Sequence, residues 1–339
     1  MAFRGIVGHR RQIGLLGRAI VNGALPPSLI FSGPDGIGKR MVALAAAQAL
    51  NCLSPVDQPE TGGRDACGVC VSCSKIARHM HPDVMRVEPG ETGSIKIDAI
   101  RQVVGQIGYR PFEGRFRVVA IDQAEALVDD AQNSLLKTLE EPPPRNVVVL
   151  VTSQPDTLLD TIRSRCCQVR FAPLRAQDVA RELVARHGYA DGEAHAAAAL
   201  SGGSFRRALD AGSAETAEAR AVAVAVLQEV ARSADPRVRL ASAAALLQNA
   251  SKKGKERSAL AVRLRALGSL LRDVTILSTR AADDALVNLD IRSELEPLAR
   301  LYDRARLERA FSAVGRSLAA VERHNASPKI VADWLAFQL

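Results

Sequence analysis

Residues 28–50, SLIFSGPDGIGKRMVALAAAQAL, restrict the fold more than any other stretch of the chain. SLIFSG reads as a buried strand and MVALAAAQAL as a helix. Between them Gly33, Gly38 and Lys39 fall in the pattern G-x-x-x-x-G-K, with Gly36 inside it. Strand, glycine loop and helix in that order bring backbone N–H groups and a helix N-terminus to one point, where phosphate oxygens are favoured. The plainer alternative is a strand–helix turn that uses glycines for tight packing. The next position of the pattern requires Ser or Thr, whose hydroxyl holds Mg²⁺. This chain has Arg40 there. Arginine offers only N–H donors and a fixed positive charge. It is expected to repel the metal, while partly replacing the metal's charge beside phosphate.

The residues that follow repeat the alternation. DVMRVEP (83–89), RFRVVAID (115–122), NVVVLVTS (146–153) and CCQVRF (166–171) read as strands. IKIDAIRQVVGQI (95–107) and AQNSLLKTLEEPPP (131–144) read as helices, the second stopped by its prolines. Such alternation predicts a mostly parallel sheet with helices on both faces. Beyond Pro173 the strand signals end and the pattern is helical. Leu307, Phe311, Val314, Leu318 and Val321 read there as one apolar stripe.

RFRVVAID ends in Asp122, an acid placed to help hold a metal. Gln123 follows it, and an amide is not a base near neutral pH. Glu125 lies two residues on and is expected to project elsewhere. Metal shell and base are thus both defective, which predicts a nucleotide fold with little or no hydrolysis.

Cys67, Cys70 and Cys73 form C-x2-C-x2-C, with Cys52 upstream to complete a four-thiolate set. Two-residue spacings let thiolates converge on one ion, and four would leave tetrahedral zinc no open position, so the expected site is structural. An iron–sulfur cluster remains the alternative, although the closely following Cys-Pro of ferredoxin runs is missing. The intervening LSPVDQPETGGRDA is expected to be a surface loop. Cys166 and Cys167 are expected to be buried, and His79 and His81 to be ordinary surface or core residues. The N-terminal MAFRGIVGHRRQ has no apolar signal core, and no window reaches the ~18 apolar residues of a membrane span, so a cytoplasmic location is expected. Net charge is +8, which permits nucleic-acid contact, but only 4% of residues are aromatic, so any contact should be to phosphates. SKKGKERSALAVRLRALGSLLR (251–272) reads either as a solvated helix face after a loop or as a basic surface for DNA or an acidic neighbour.

NSLLKTLEEPP (133–143) closely resembles the clamp-loader subunits of bacterial replicative DNA polymerase, and TIRSRCCQVRF (161–171) adds their Ser-Arg-Cys motif. GGSFRRALD (202–210) resembles the lid segment with their second sensor, which makes Arg206 the candidate. The cysteine cluster sits where that family carries a zinc module. HPDVMRVEPG (81–90) followed by IKIDAIRQV (95–103) resembles the delta-prime type, whose phosphate loop is degraded. The motor type, tau/gamma, keeps Thr at the loop and Asp-Glu at the strand end, and its long C-terminal extension has no room here.

The resemblance implies an α/β AAA+ phosphate-loop domain over 1–172 with a zinc module at about 52–73. A helical lid over 173–213 and an all-α collar over 214–339 would follow. It implies a subunit of a hetero-pentameric ring, with motor and delta neighbours, that places the sliding clamp on primer–template DNA at the replisome. ATP binding would be weak or absent, at Gly33, Gly36, Gly38, Lys39, Arg40, Asp122 and Arg206. Arg165 would be an arginine finger acting on a neighbour's ATP; the alternative for it is an ion pair within its own domain. Two other functions stay open: an active tau/gamma-like ATPase, and an unrelated phosphate-loop enzyme such as a kinase.

Overall fold

A computed structural model describes residues 2–58, 63–90, 93–210, 213–233, 235–247, 256–279, 286–322 and 326–339. The chain divides into two compact units, Met1–Leu174 and Arg175–Leu339.

The first unit runs α1 (Arg10–Val21), β1 (Ser28–Ser32), α2 (Lys39–Asn51), β2 (Val56–Gln58), β3 (Gly63–Asp65), α3 (Val71–Ala77), β4 (Val84–Val87), α4 (Ile97–Ile107), β5 (Arg117–Ile121), α5 (Asp129–Glu140), β6 (Asn146–Thr152), α6 (Asp160–Arg163) and β7 (Cys167–Arg170). Five strands form one parallel sheet in the order β4-β5-β6-β1-β7. Strands β1, β5 and β6 are buried along their whole length, which is why they read as unbroken apolar runs. Parallel strands place all their C-terminal ends on one edge. The phosphate loop leaves β1 there, and Asp122 leaves β5 at the same edge.

Two expectations need correction. Part of the segment between Cys52 and Cys67 is an antiparallel hairpin, β2 with β3, rather than a surface loop; residues 59–62 lie outside the described set. Strand β2 is exposed as expected of a surface segment, but β3 is anchored inward, where Asp65, 1% exposed, accepts the Phe3 and Arg4 backbone N–H groups at 2.8 and 3.1 Å. It also passes close under α1: a Cβ on Gly63 would lie 2.9 Å from the Gly17 carbonyl carbon. Cys167, expected to be buried, is exposed, since it sits on the edge strand β7 whose neighbour is β1 alone; Cys166 is buried as expected.

The second unit is helical throughout its described residues: α7 (Ala176–His187), α8 (Asp191–Leu200), α9 (Phe205–Asp210), α10 (Ser213–Arg232), α11 (Pro236–Ala245), α12 (Glu256–Thr279), α13 (Arg292–Leu301), α14 (Arg304–Glu322) and α15 (Pro328–Ala336). Helix α12 is its axis, with Leu260, Leu264, Leu267, Leu270 and Leu271 fully buried. The basic stretch ending at Arg272 is therefore solvated only in part: Arg257 and Arg272 are exposed, whereas two arginines between them turn inward. Arg263 is buried, donating to the Leu246 carbonyl at 2.7 Å, and Arg265 pairs with Glu322. Lys252, Lys253 and Lys255 lie outside the described residues. On α14 the core line runs through Leu307, Ala310, Val314, Ser317 and Val321, and Phe311 faces outward. The lone Trp334, on α15, is partly exposed beneath the Arg316 guanidinium, 4.8 Å from its ring centre. Among the described residues no helix is long and apolar enough to cross a membrane.

Candidate functional site

The loop after β1 is shaped by its glycines. Gly33 has φ +149°, and a Cβ there would meet the Phe171 carbonyl oxygen at 2.3 Å. Gly36 and Gly38 have φ +74° and +100°, backbone that favours glycine. Gly38 caps α2, so Lys39 and Arg40 open the helix. His9 buttresses the loop from outside: its Nε2 lies 2.8 Å from the Ile37 carbonyl, and its ring meets Phe171 edge-on at 5.0 Å. Burial, with Lys39 nearby, lowers the His9 pKa, which favours a neutral ring donating Nε2–H.

Lys39 does not reach outward. Its Nζ donates to the carbonyls of Gly33 and Pro34, both at 2.6 Å. Burial lowers its pKa, opposed by the charges of Asp35, Glu125 and Asp122. Arg40 turns across the sheet edge to Glu88 at 3.1 Å and Asp122 at 3.3 Å. Register explains the meeting. Val87 on β4 is opposite Ile121 on β5, so Glu88 and Asp122 leave neighbouring strands side by side. Arg86 pairs with Glu88 from behind.

Gln123 is exposed, with φ +51°, and places no carboxylate beside Asp122. Glu125 corrects its expectation. It interacts electrostatically with Lys39, and its Oε1 accepts from the Ser153 hydroxyl and N–H at 2.6 and 3.2 Å. Its Oε2 is buried without a hydrogen-bond partner. A short 3-10 turn over Ala124–Ala126 swings it inward, which strand periodicity does not reveal. Gly33, Gly36, Gly38, Lys39, Arg40 and Asp122 thus meet at one place, joined by Glu88 and Glu125. Arg206 belongs to the second unit, on α9, near Asp210 at 3.6 Å. The donor set suits phosphate at the loop but not Mg²⁺, because a guanidinium stands at the metal's acid.

Arg165 precedes β7, whose Cys167 pairs with Leu29 near the start of β1. It stands at the strands' N-terminal edge, about 13 Å of strand from its own phosphate loop. There it pairs with Glu140 of the LLKTLEE helix at 2.7 Å and donates to the Thr161 carbonyl at 2.9 Å.

The four sulfurs of Cys52, Cys67, Cys70 and Cys73 lie within 4.8 Å of one another, with Cys52 and Cys70 at 4.0 Å. Four sulfurs bound to one zinc at ~2.3 Å would stand ~3.8 Å apart. Backbone N–H groups of Cys67, Cys70 and Cys73 point at the sulfurs of Cys52, Cys67 and Cys70, at 3.2, 3.3 and 3.5 Å. Such donors favour thiolate, so the four residues fit a structural zinc.

Sequence reasoning missed a buried pair. Asp83, fully buried, accepts N–H groups of Phe112, Glu113 and Gly114 at 2.7, 2.8 and 2.8 Å and the Arg117 guanidinium at 2.9 Å. Arg117 also donates to the carbonyls of Gln106 and Tyr109, fixing the chain between α4 and β5. The only available signal was charge inside two strand-like runs. Glu88 was equally readable as the acid that ends the strand RVEP.

A family model described as "DNA polymerase III, delta subunit" matches residues 8–175. The delta' subunit of Pseudomonas aeruginosa is 39% identical over 158 residues, 46% of this chain and 46% of that one. Residues 8–175 of the chain belong to the DNA polymerase III clamp-loader family. The delta' subunit of Bacillus subtilis is 34% identical over 174 residues, 51% of this chain and 50% of that one. The tau subunit of Escherichia coli is 32% identical over 182 residues, 53% of this chain and 27% of that one. The chain therefore matches half or less of the length of these relatives, and the family model covers nearly all of the first unit, which carries the loop, the cysteine cluster and the Ser-Arg-Cys motif.

Proposed function

We propose that this chain works as a delta-prime-type clamp-loader subunit: a ring member that does not hydrolyse ATP itself and presents Arg165 to ATP held by a neighbour. The observation that carries the reading is the Arg40–Asp122 pair, which ties up the acid a motor subunit needs for its metal. It counts against a tau/gamma-like ATPase. The position of Arg165 at the sheet edge opposite its own loop supports action in trans, with Glu140 as its resting partner. In this reading residues 1–172 form the AAA+ domain, 173–213 the lid with Arg206, and 214–339 the collar. The partners are motor and delta subunits in a five-membered ring, the sliding clamp, and primer–template DNA reached through the complex in the cytoplasm.

The purified chain alone should show negligible Mg-dependent ATPase activity, and mixed with motor and delta subunits it should complete a ring that loads clamps. Metal-dependent turnover in the range of ~1–100 s⁻¹, abolished by Lys39→Ala, would refute the non-hydrolysing assignment. Failure to enter the ring would refute the assembly role.

The cysteine cluster is assigned one structural zinc. Elemental analysis of aerobically purified protein should give one Zn²⁺ per chain, without visible absorbance. Cys70→Ser should lower the melting temperature, because metal binding and folding of such modules are coupled. Iron in place of zinc, or no metal, overturns the assignment.

A further inference from the structure

We infer that Arg40 is the resident cation of this phosphate loop: its guanidinium stands in for a divalent metal at Asp122, and one substitution would restore metal-dependent nucleotide binding. The inference stands on the geometry of the loop and holds whichever assembly the chain joins.

Asp122 lies at the strand end beside the loop, where an acid that helps hold a metal belongs. Arg40 occupies the position of the hydroxyl ligand and sits 3.3 Å from the Asp122 carboxylate. The two metal-holding positions have thus become a pair that satisfies itself. Glu88, 3.1 Å from the guanidinium, adds a second carboxylate, and Arg86 balances that one. A divalent cation entering here must displace the positive guanidinium from the carboxylate and then remain beside it.

The rest of the loop is intact. The strand, the left-handed glycines, the helix N-terminus and Lys39 are all in place. The hydrogen bonds of Lys39 go to carbonyls of the loop itself, contacts that phosphate oxygens can replace. Arg40 is about half exposed, so shortening it opens space without removing core. The metal preference of the loop therefore depends on the side chain at position 40. Threonine there would supply the missing hydroxyl and release Asp122.

The test uses the full chain alone. ADP is titrated with Mg²⁺ and again with EDTA, against wild type, Arg40→Thr, and Arg40→Thr combined with Asp122→Asn, with melting curves to confirm folding. Wild type should show no difference between the two conditions, whether it binds ADP weakly or not at all. Arg40→Thr should bind about tenfold tighter or better with Mg²⁺, as expected when a bound cation becomes the largest local charge. Adding Asp122→Asn should remove most of that gain. The inference is overturned if wild type binds ADP more tightly with Mg²⁺, if folded Arg40→Thr gains no Mg²⁺ dependence, or if the gain survives Asp122→Asn. These results bear on the metal position alone; ring entry and clamp loading are tested separately and can fail without affecting it.

Discussion

A ring assembled with the Arg165→Ala chain and otherwise intact partners should lose ~10³–10⁵-fold in hydrolysis at the one site that Arg165 faces under the proposed role. Other sites would use their own arginines, so total DNA-stimulated ATPase should fall only partly, while clamp loading, which needs the sites coupled, should fall further. The reason lies in the side chain's shape. A planar guanidinium can bridge two phosphate oxygens and stabilise charge that appears only in the transition state. Arg165→Lys keeps the charge but not the fork and should recover little. In the isolated chain Arg165 rests on Glu140, and both side chains are partly exposed. Exposed pairs of this kind contribute ~0–1 kcal/mol, so a neighbour's triphosphate can draw the guanidinium away. If the mutant ring assembles normally and both ATPase and loading match wild type, the Glu140 pair is the whole role of Arg165.

The second large effect concerns stability. Asp83→Ala should destabilise the first unit by ~3–5 kcal/mol, because it strands the Arg117 charge in the interior together with three loop N–H groups. Replacing both partners, Asp83→Ala with Arg117→Met, should cost less than the sum of the single changes, since no unpaired charge remains. Denaturant midpoints of the four proteins measure this. A single-variant cost below ~1 kcal/mol would show that water or rearrangement compensates the pair. The same carboxylate predicts a pH response. Burial alone would raise its pKa, but the N–H groups of Phe112, Gly114 and Glu113 and the Arg117 guanidinium outweigh burial and hold it at about 2. A carboxylate depressed in the folded state stabilises fully above its unfolded pKa, near 4, and loses that contribution as pH falls through about 2. The loss amounts to roughly 2–3 kcal/mol. Acid unfolding of wild type should therefore be steeper in that window than that of Asp83→Ala.

What the sequence revealed and what it hid follow from the range of the interactions. The parallel sheet was legible because buried parallel strands are continuous apolar runs, and NVVVLVTS is one. The phosphate loop and the cysteine set were legible because each is a short pattern with fixed spacing. Contacts between distant segments were not. Arg40 announced a missing ligand, but its ion pair with Glu88 and Asp122 depends on the register of β4 against β5. Glu125 was misjudged because a single helical turn after β5 reverses the direction of its side chain. The pairing of β2 with β3 was missed because polar, glycine-rich composition suggests a loop; β2 does lie at the surface, but Asp65 on β3 is anchored by backbone groups some sixty residues away. Phe311 matched a helical stripe by spacing alone, although the buried line passes through Ala310 instead.

Trp334 gives the protein a built-in optical probe. It is the only indole in the chain, it lies in the second unit, and a guanidinium hangs over its ring. Emission excited selectively at that ring reports the surroundings of α15 and no other part of the molecule. A neighbouring subunit seated against this helix would exclude water from the ring and move the spectrum to shorter wavelength, with no dye attached. The phosphate loop, in the other unit, has no indole of its own, so nucleotide binding there must be followed by heat or by a labelled ligand. Unmodified protein thus offers a native fluorescence test of whether a partner subunit seats on the C-terminal helices, with the first unit contributing no indole background.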